Sequence, residues 1–559
     1  MATFLLSLTA AQATSAQLLE EQLISAYPAP TPLISAPEAA SVFSINELDR
    51  FGINTTAELA LRSPGLLDLR QGDGLQLRGI GGPTAGGQSP AVPLFSDGVY
   101  LGEATAADVA NFFDLERIEV RRGPGGVSSG YNALGGAINL QTAAPTATWQ
   151  SRVVADVGSD DYRALQGLIR GPITDQFSMS VAGSALSQSP WEDHGRETDN
   201  RGERDNQYLR GAFTYHWTNL FYSSLQVMRS ETADSDLDSA YLLNEVALGD
   251  HRLKYLASWN QRDGNLETES TMHELRWYSD SDGELEFDNG LYWYQRDSEA
   301  AARPATKTQA LSAWTQLNWS LADALQLRGG LRYTDEEREA EQTQEDGYWD
   351  WRLGLDYTWR DQLLYAETSS GHGNAGGEKT VNADSEMDSL SSLTLGHKGQ
   401  YLGDRLQTAA AIYHYDLDDL EGGGHASGLE AELRWAWNEQ LSLGGSWAYN
   451  SGALPAPRHQ VALFTSFQWR WSWVQMAAVL EYFYRDRYCS QSQQCRSSRN
   501  QWDGSLSASY GLWRLTAYVD NLGDEHTASD SAEVLPGGGL EASQVDPPRS
   551  VGLRLAYQL

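Results

Sequence analysis

Leu429–Tyr449 reads LEAELRWAWNEQLSLGGSWAY. Leu429, Ala431, Leu433, Trp435 and Trp437 alternate with Glu430, Glu432, Arg434 and Ala436. Past the polar Asn438–Gln440, Leu441, Leu443, Gly445, Trp447 and Tyr449 alternate with Ser442, Gly444 and Ser446. Period two gives each run one apolar and one polar face, so this is a pair of half-buried strands joined by a tight turn. The same texture recurs in Trp513–Asp520 and in Val551–Leu559.

From Trp149 to the end, strand candidates of roughly ten residues follow one another, and their connections alternate in length. Short ones include 171–176, 218–219, 249–250, 281–283, 322–324, 360–361, 438–440 and 511–512. Long ones include 188–207, 296–306, 336–346, 369–389, 416–427, 486–500 and 523–548. A soluble sandwich has no reason for that alternation, whereas a membrane barrel has tight turns on one side and reaching loops on the other. The expected fold is an all-β transmembrane barrel of about 22 antiparallel strands over 148–559, with Trp469–Trp473 as girdle residues. A lumen that wide needs filling.

Composition agrees. The chain has 559 residues, with 75 acidic against 40 basic side chains and a formal charge of −35. Nucleic acid is excluded as a partner, since no basic surface is available to neutralise phosphates. Mean hydropathy is −0.47, and no apolar run of about 18 residues offers a spanning helix. Yet there are 19 Trp and 26 Tyr, the aromatic load of a barrel's interfacial belts.

Toward the amino end, the apolar Phe4–Ala11 and the small-residue run Ala11–Ala13 mark 1–16 as a weak or truncated signal segment, without the usual basic residues. Residues 17–37 are polar and carry Pro28, Pro30, Pro32 and Pro37, so they are expected to be extended and flexible. Within them Glu20, Glu21, Gln22, Leu23, Ile24, Ser25 and Ala26 read either as linker or as a strand offered to a partner's sheet edge. Residues 38–147 read as an α+β domain. Ser44 and Glu47 have capping-box spacing for a short helix closed by Gly52, and Thr55–Arg62 suggests a second. Short apolar runs between paired glycines fill Leu77–Pro145.

Candidate sites are few. Cys489 and Cys495 suit a small loop disulfide, and no second Cys/His pair is near enough for zinc. Asp234, Asp236 and Asp238 supply hard oxygens at alternate positions of a loop, either the start of a structural Ca²⁺ site or a solvated acidic run. Asp335–Asp346 reads as an acidic loop able to gather divalent cations. His194, His372, His425 and His526 fall in the long loops, where they either contact a ligand or are merely solvated. No Ser/His/Asp spacing suggests a barrel enzyme.

Several segments resemble a known family. LRGIGG (Leu77–Gly82), DGVY (Asp97–Tyr100), LERIEVRRGP (Leu115–Pro124) and NALGGAIN (Asn132–Asn139) are similar to plug motifs of TonB-dependent outer-membrane receptors, in particular siderophore receptors. SGLEAELRW (Ser427–Trp435), YVDNLGDEH (Tyr518–His526) and PPRSVGLRLAYQL (Pro547–Leu559) resemble their late barrel strands. The resemblance implies a plug inside the barrel, residence in the bacterial outer membrane as a monomer, where Asp335–Asp346 could bridge to lipopolysaccharide through divalent cations, and active uptake without a required cofactor. It sets Glu20–Ala26 in the place of the TonB box, which meets a periplasmic energy-coupling protein. Ligand contacts are then expected at Gln88 and Ser89 of the Gly82–Pro93 loop and at Tyr100, and from His372 and His425. A ferric siderophore is the first expectation for the ligand, with cobalamin, haem or a glycan as alternatives. A binding or adhesion barrel without transport is the competing class. Two departures stand out: Gly125–Gly130 replaces the family's usual QGTLYG, and Leu559 stands where an aromatic is usual.

Overall fold

The computed structural model describes residues 19, 22–24, 31–69, 74–82, 89–102, 112–127, 131, 133–190, 192–193, 200–201, 203–233, 235–280, 283–300, 303–340, 343–373, 388–418, 424–489, 495–525, 533–534, 540–541 and 547–559. A closed antiparallel barrel of 22 strands runs from Gln150–Gly158 to Ser550–Gln558. The seam is formed by those two strands, with Arg152 opposite Gln558 and Gly158 opposite Gly552. Ser151 and Leu559 exchange both backbone hydrogen bonds beside it, at 3.1 and 2.8 Å.

The alternation read in the sequence sets the two faces of this wall. Glu430 is buried toward the lumen, while Leu433, Leu463, Leu553 and Leu555 stand 40–52 % exposed on the outside. An apolar belt of that extent is untenable in water and is the face a bilayer covers. Trp217, Trp277, Trp319, Trp359, Trp437, Trp471, Trp473 and Trp513 are exposed along the rim of short turns. Trp259, Trp349, Trp447 and Trp502 are exposed nearer the other rim. These are the two interfacial girdles.

One expectation fails in an instructive way. The runs 296–306 and 336–346 are not loops: the ladder continues through them, as strands Leu285–Ala300, Arg303–Ala322, Leu325–Glu339 and Thr343–Trp359. Asp335–Asp346 is therefore mostly hairpin. Above the bilayer both faces of a strand are wet, so the period-two signal disappears while the hydrogen bonds persist.

The domain inside the lumen is built from β1 (Leu23–Ile24), β2 (Thr31–Pro32), β3 (Ala40–Ser44), α1 (Ile45–Phe51), α2 (Thr56–Arg62), β4 (Leu66–Asp68), β5 (Leu75–Leu77), β6 (Ile80–Gly81), β7 (Leu94–Ser96), β8 (Val99–Tyr100), β9 (Leu115–Arg122) and β10 (Gly136–Thr142). Its main sheet has the order β3-β9-β10-β7-β8. Both helices carry the capping box, Ser44 with Glu47 and Thr55 with Glu58, and Gly52 ends the first with φ +65°. Two-residue turns with both residues left-handed join β5 to β6 (Arg78 φ 54°, Gly79 φ 85°) and β7 to β8 (Asp97 φ 51°, Gly98 φ 86°). Such turns match the strand twist. At Gly136 (φ +134°) a Cβ would stand 2.2 Å from the Arg121 carbonyl oxygen, so only glycine lets β10 lie against β9.

Candidate functional site

The plug is held to the wall by buried ion pairs. Arg78, at the first turn of the LRGIGG motif, donates Nε and Nη2 to the Glu430 carboxylate at 2.8 and 2.7 Å and Nη1 to Tyr415 at 2.7 Å. Its guanidinium lies 4.1 Å from the centroid of Tyr413. Burial alone would push that guanidinium's pKa down, but the Glu430 carboxylate, with Tyr415, outweighs it and holds the pKa well above the ordinary value. Arg122, from the RRGP motif, pairs with Glu430 at 2.9 Å and Glu432 at 2.7 Å, and donates to Ser41 at 2.6 Å. Elsewhere Arg62 of α2 forks onto Glu481 at 2.9 and 2.6 Å, and Arg210 of the wall pairs with Asp114 of the plug. The polar face of the opening stretch is thus half of a clamp.

Above this clamp, toward the rim of long loops, plug and wall enclose a second set of polar groups. Arg78, Tyr413, Asn450, Leu454 and Arg458 line a cavity of about 250 Å³. A polar cluster stands elsewhere on the same half of the wall. Tyr131 of the plug donates to Glu336 at 2.8 Å, and Arg338 donates to the same carboxylate at 2.6 Å. Burial, then the Glu336 charge, pushes the Tyr131 phenol well above its ordinary range, so it remains a donor. Tyr348 stacks on His372 at 5.0 Å, and His372 Nδ1 meets Asp350 at 2.9 Å. Pairing between strands Thr343–Trp359 and Gln362–Gly373 stops at Arg352 opposite Ser369. Beyond it the second strand follows only its other neighbour, which lets His372 reach Asp350.

At the opposite mouth, β1 pairs with β2 and tucks beneath the plug. Gln22 donates to the Val42 carbonyl at 2.6 Å and to Glu47 at 2.8 Å, and its own carbonyl accepts from Leu33 N at 2.7 Å. Ile24 is fully buried against Ala36, Ala40 and Val42. Lys398 of the wall donates to the Leu33 carbonyl at 2.7 Å. A hollow of about 90 Å³ opens beside Gln22, Leu33 and Lys398.

The expected site residues scatter around this frame. Gln88, His194, His526, Asp234, Glu20, Glu21, Ser25 and Ala26 lie outside the described residues. Ser89 is buried and accepts from Arg296 Nη1 at 3.1 Å, so its hydroxyl is taken by the wall. Tyr100 is fully buried between Phe95, Tyr131 and Tyr294, a packing residue of the plug and wall rather than a free contact. His372 faces the polar cluster. His425 does not: its strand turns Ala426 and Glu430 inward, and His425 projects from the exterior, 72 % exposed, against Asp416. Asp236 and Asp238 are in strand Ser235–Ala247 rather than a loop, and both accept from Arg229, at 3.1 and 2.8 Å. Cys489 and Cys495 form the expected disulfide. Sequence reasoning missed Arg78, Arg122 and Glu430. The signal was present as arginines inside glycine-rich plug motifs and glutamates on a lumen face, but nothing local says that residues 352 apart will meet.

Known proteins share this architecture. A family model described as "TonB dependent receptor-like, beta-barrel" matches residues 148–522, and one described as "TonB-dependent Receptor Plug Domain" matches 32–137. A pesticin receptor of Yersinia pestis is 32 % identical over 142 residues, 24 % of this chain and 20 % of its own length. The aligned stretch is thus about a fifth of that relative. A vitamin B12 transporter, BtuB, of Vibrio vulnificus (strain CMCP6) is 22 % identical over 456 residues, covering 75 % of this chain and 74 % of its own. Among solved structures, the ferric yersiniabactin uptake receptor FyuA from Yersinia pestis superposes with a TM-score of 0.79 at 18 % identity, over 94 % of this chain and 98 % of that one. That likeness is one of fold.

Proposed function

Because this chain belongs to the family of TonB-dependent receptors, a barrel fold of the bacterial outer membrane, we propose that it takes up a scarce, bulky solute by coupling to a periplasmic TonB-type protein. The observation that carries this reading is the docking of Gln22–Ile24 at the periplasmic mouth of a plug clamped across the lumen. A partner that captures this segment as a strand gains main-chain hydrogen bonds, and pulling on it transmits force to β3 and α1 through Val42 and Glu47. A solute bound on the other side favours release only if it binds the released state more tightly.

For the solute, a ferric siderophore is the first reading. Arg296, Arg338 and the stacked Tyr348–His372 pair supply cations and ring faces near the outer side of the lumen. That chemistry suits an anionic chelate with aromatic or carboxylate arms. The fold shared with FyuA, a ferric yersiniabactin uptake receptor, supports it by likeness. Cobalamin is the second reading, favoured by the B12 transporter match over three quarters of the chain. The deciding experiment is uptake by a receptor-deletion strain complemented with the wild-type chain or with Glu20–Ala26 deleted, on a panel of ferric chelates and cobalamin. Energised uptake requires that one solute enter with the wild-type chain and not with the deletion. Equal entry with both removes the coupling reading, and entry of cobalamin alone removes the siderophore.

A further inference from the structure

We propose that His414, Asp416 and His425 form a binding site for a divalent transition-metal ion of the zinc class on the outer wall of the barrel. His414 and Asp416 are two apart on strand Leu406–Asp418 and so share its outward face, since Tyr413 and Tyr415 between and beside them are buried in the lumen. Asp416 is directly opposite His425 in the ladder, and His414 is directly opposite Ser427. One donor atom from each of His414, Asp416 and His425 lies within 4.8 Å of the others. His414 Nε2 stands 3.6 Å from Asp416 Oδ1, and His425 Nδ1 contacts that same oxygen.

Ladder register, rather than flexible loop, fixes the spacing of these three groups. Donor atoms on a tetrahedral ion with bonds of about 2.0–2.2 Å are separated by little more than 3 Å, so small rotations of exposed side chains close the set. His414 Nδ1 is held at 2.8 Å by Ser427 Oγ, which orients the ring and leaves Nε2 toward Asp416. A hydrogen bond on the far nitrogen is the usual partner of a ligating imidazole. Two imidazoles and one carboxylate favour zinc, nickel or copper over calcium or magnesium, whose preferred ligands are all oxygen. With three protein ligands the ion keeps an open position for water or an external ligand. Ile412, on the same face, is 56 % exposed, so the site sits where the apolar belt ends on the side of the long connections.

The test uses the full-length receptor in detergent, stripped with chelator and equilibrated by dialysis against Zn²⁺ alone. The wild type is expected to hold one ion per chain more than the H414A/H425A double variant. Asp416→Asn should weaken that ion at least about tenfold, the size of effect seen on losing even an outer partner. X-ray absorption of the bound ion should show scattering from two imidazoles. Heat-modifiable migration on gels establishes that each variant keeps the closed barrel. The proposal is overturned if wild type and double variant bind equally, or if the spectrum lacks the two imidazoles.

Discussion

Arg78 combines three costs in one residue. Its backbone is left-handed at φ 54°, its side chain is fully buried, and its charge is out of water. Each is tolerable because Glu430 takes two of its N–H groups and Tyr415 a third. Glu430 also serves Arg122, so losing its carboxylate strands buried Arg78 and leaves Arg122 with Glu432 and Ser41 alone, whereas Glu432 is partly exposed and serves one cation. Glu430→Ala should therefore destabilise the plug by about 3–5 kcal/mol, the range for breaking a buried pair, and Glu432→Ala by much less. Urea titration of plug protease resistance in the detergent-solubilised receptor measures both, and equal losses would mean that the pairs are not what holds the plug. The pairing itself was not readable from sequence. The glycine after Arg78 announces a tight turn, but the partner comes from the far end of the chain.

At the scale of elements, legibility depended on whether the determinant was local. Both plug helices were visible because their determinants are short-range, such as the Ser44–Glu47 capping box, and the turn rim because tight turns keep polar residues between alternating runs. Hairpin lengths above the bilayer were not visible, since two wet faces leave no period. The amino-terminal segment was half legible: an extended stretch was expected, and the docking of Gln22–Ile24 beneath the plug was not. That docking rests on few contacts: two side-chain hydrogen bonds from Gln22, the Leu33 N–H bond to its carbonyl and the burial of Ile24. With each hydrogen bond contributing about 0.5–1.5 kcal/mol net, Gln22→Ala should raise the undocked population by about tenfold. A spin label at the half-exposed Leu23 should then report a larger fast-moving fraction. An unchanged spectrum would assign the docking to Ile24 and the main-chain bonds.

At the scale of the whole molecule, two closed structures are nested, and their independence can be tested. The barrel closes on itself through Arg152–Gly158 and Gly552–Gln558, and among the described residues no plug strand enters its ladder. Its outer face is bilayer-covered, and its lumen is lined by charges that water would satisfy as readily as plug arginines do. The plug has a core of its own, with Leu48, Leu59, Leu77, Ile118 and Ile138 buried together, yet part of that core rests on wall residues such as Tyr208, Met228 and Tyr294. The dependence is therefore unequal. A chain lacking 31–147 should still assemble as a heat-modifiable barrel, with Glu430, Glu481 and Arg210 solvated in an open lumen. In planar bilayers it should pass a large, steady ionic current where the intact receptor passes none. A plugless chain that assembles but does not conduct would mean that the wall collapses inward without its filling. Failure to assemble would mean that the plug arginines are needed to neutralise the lumen while the barrel closes.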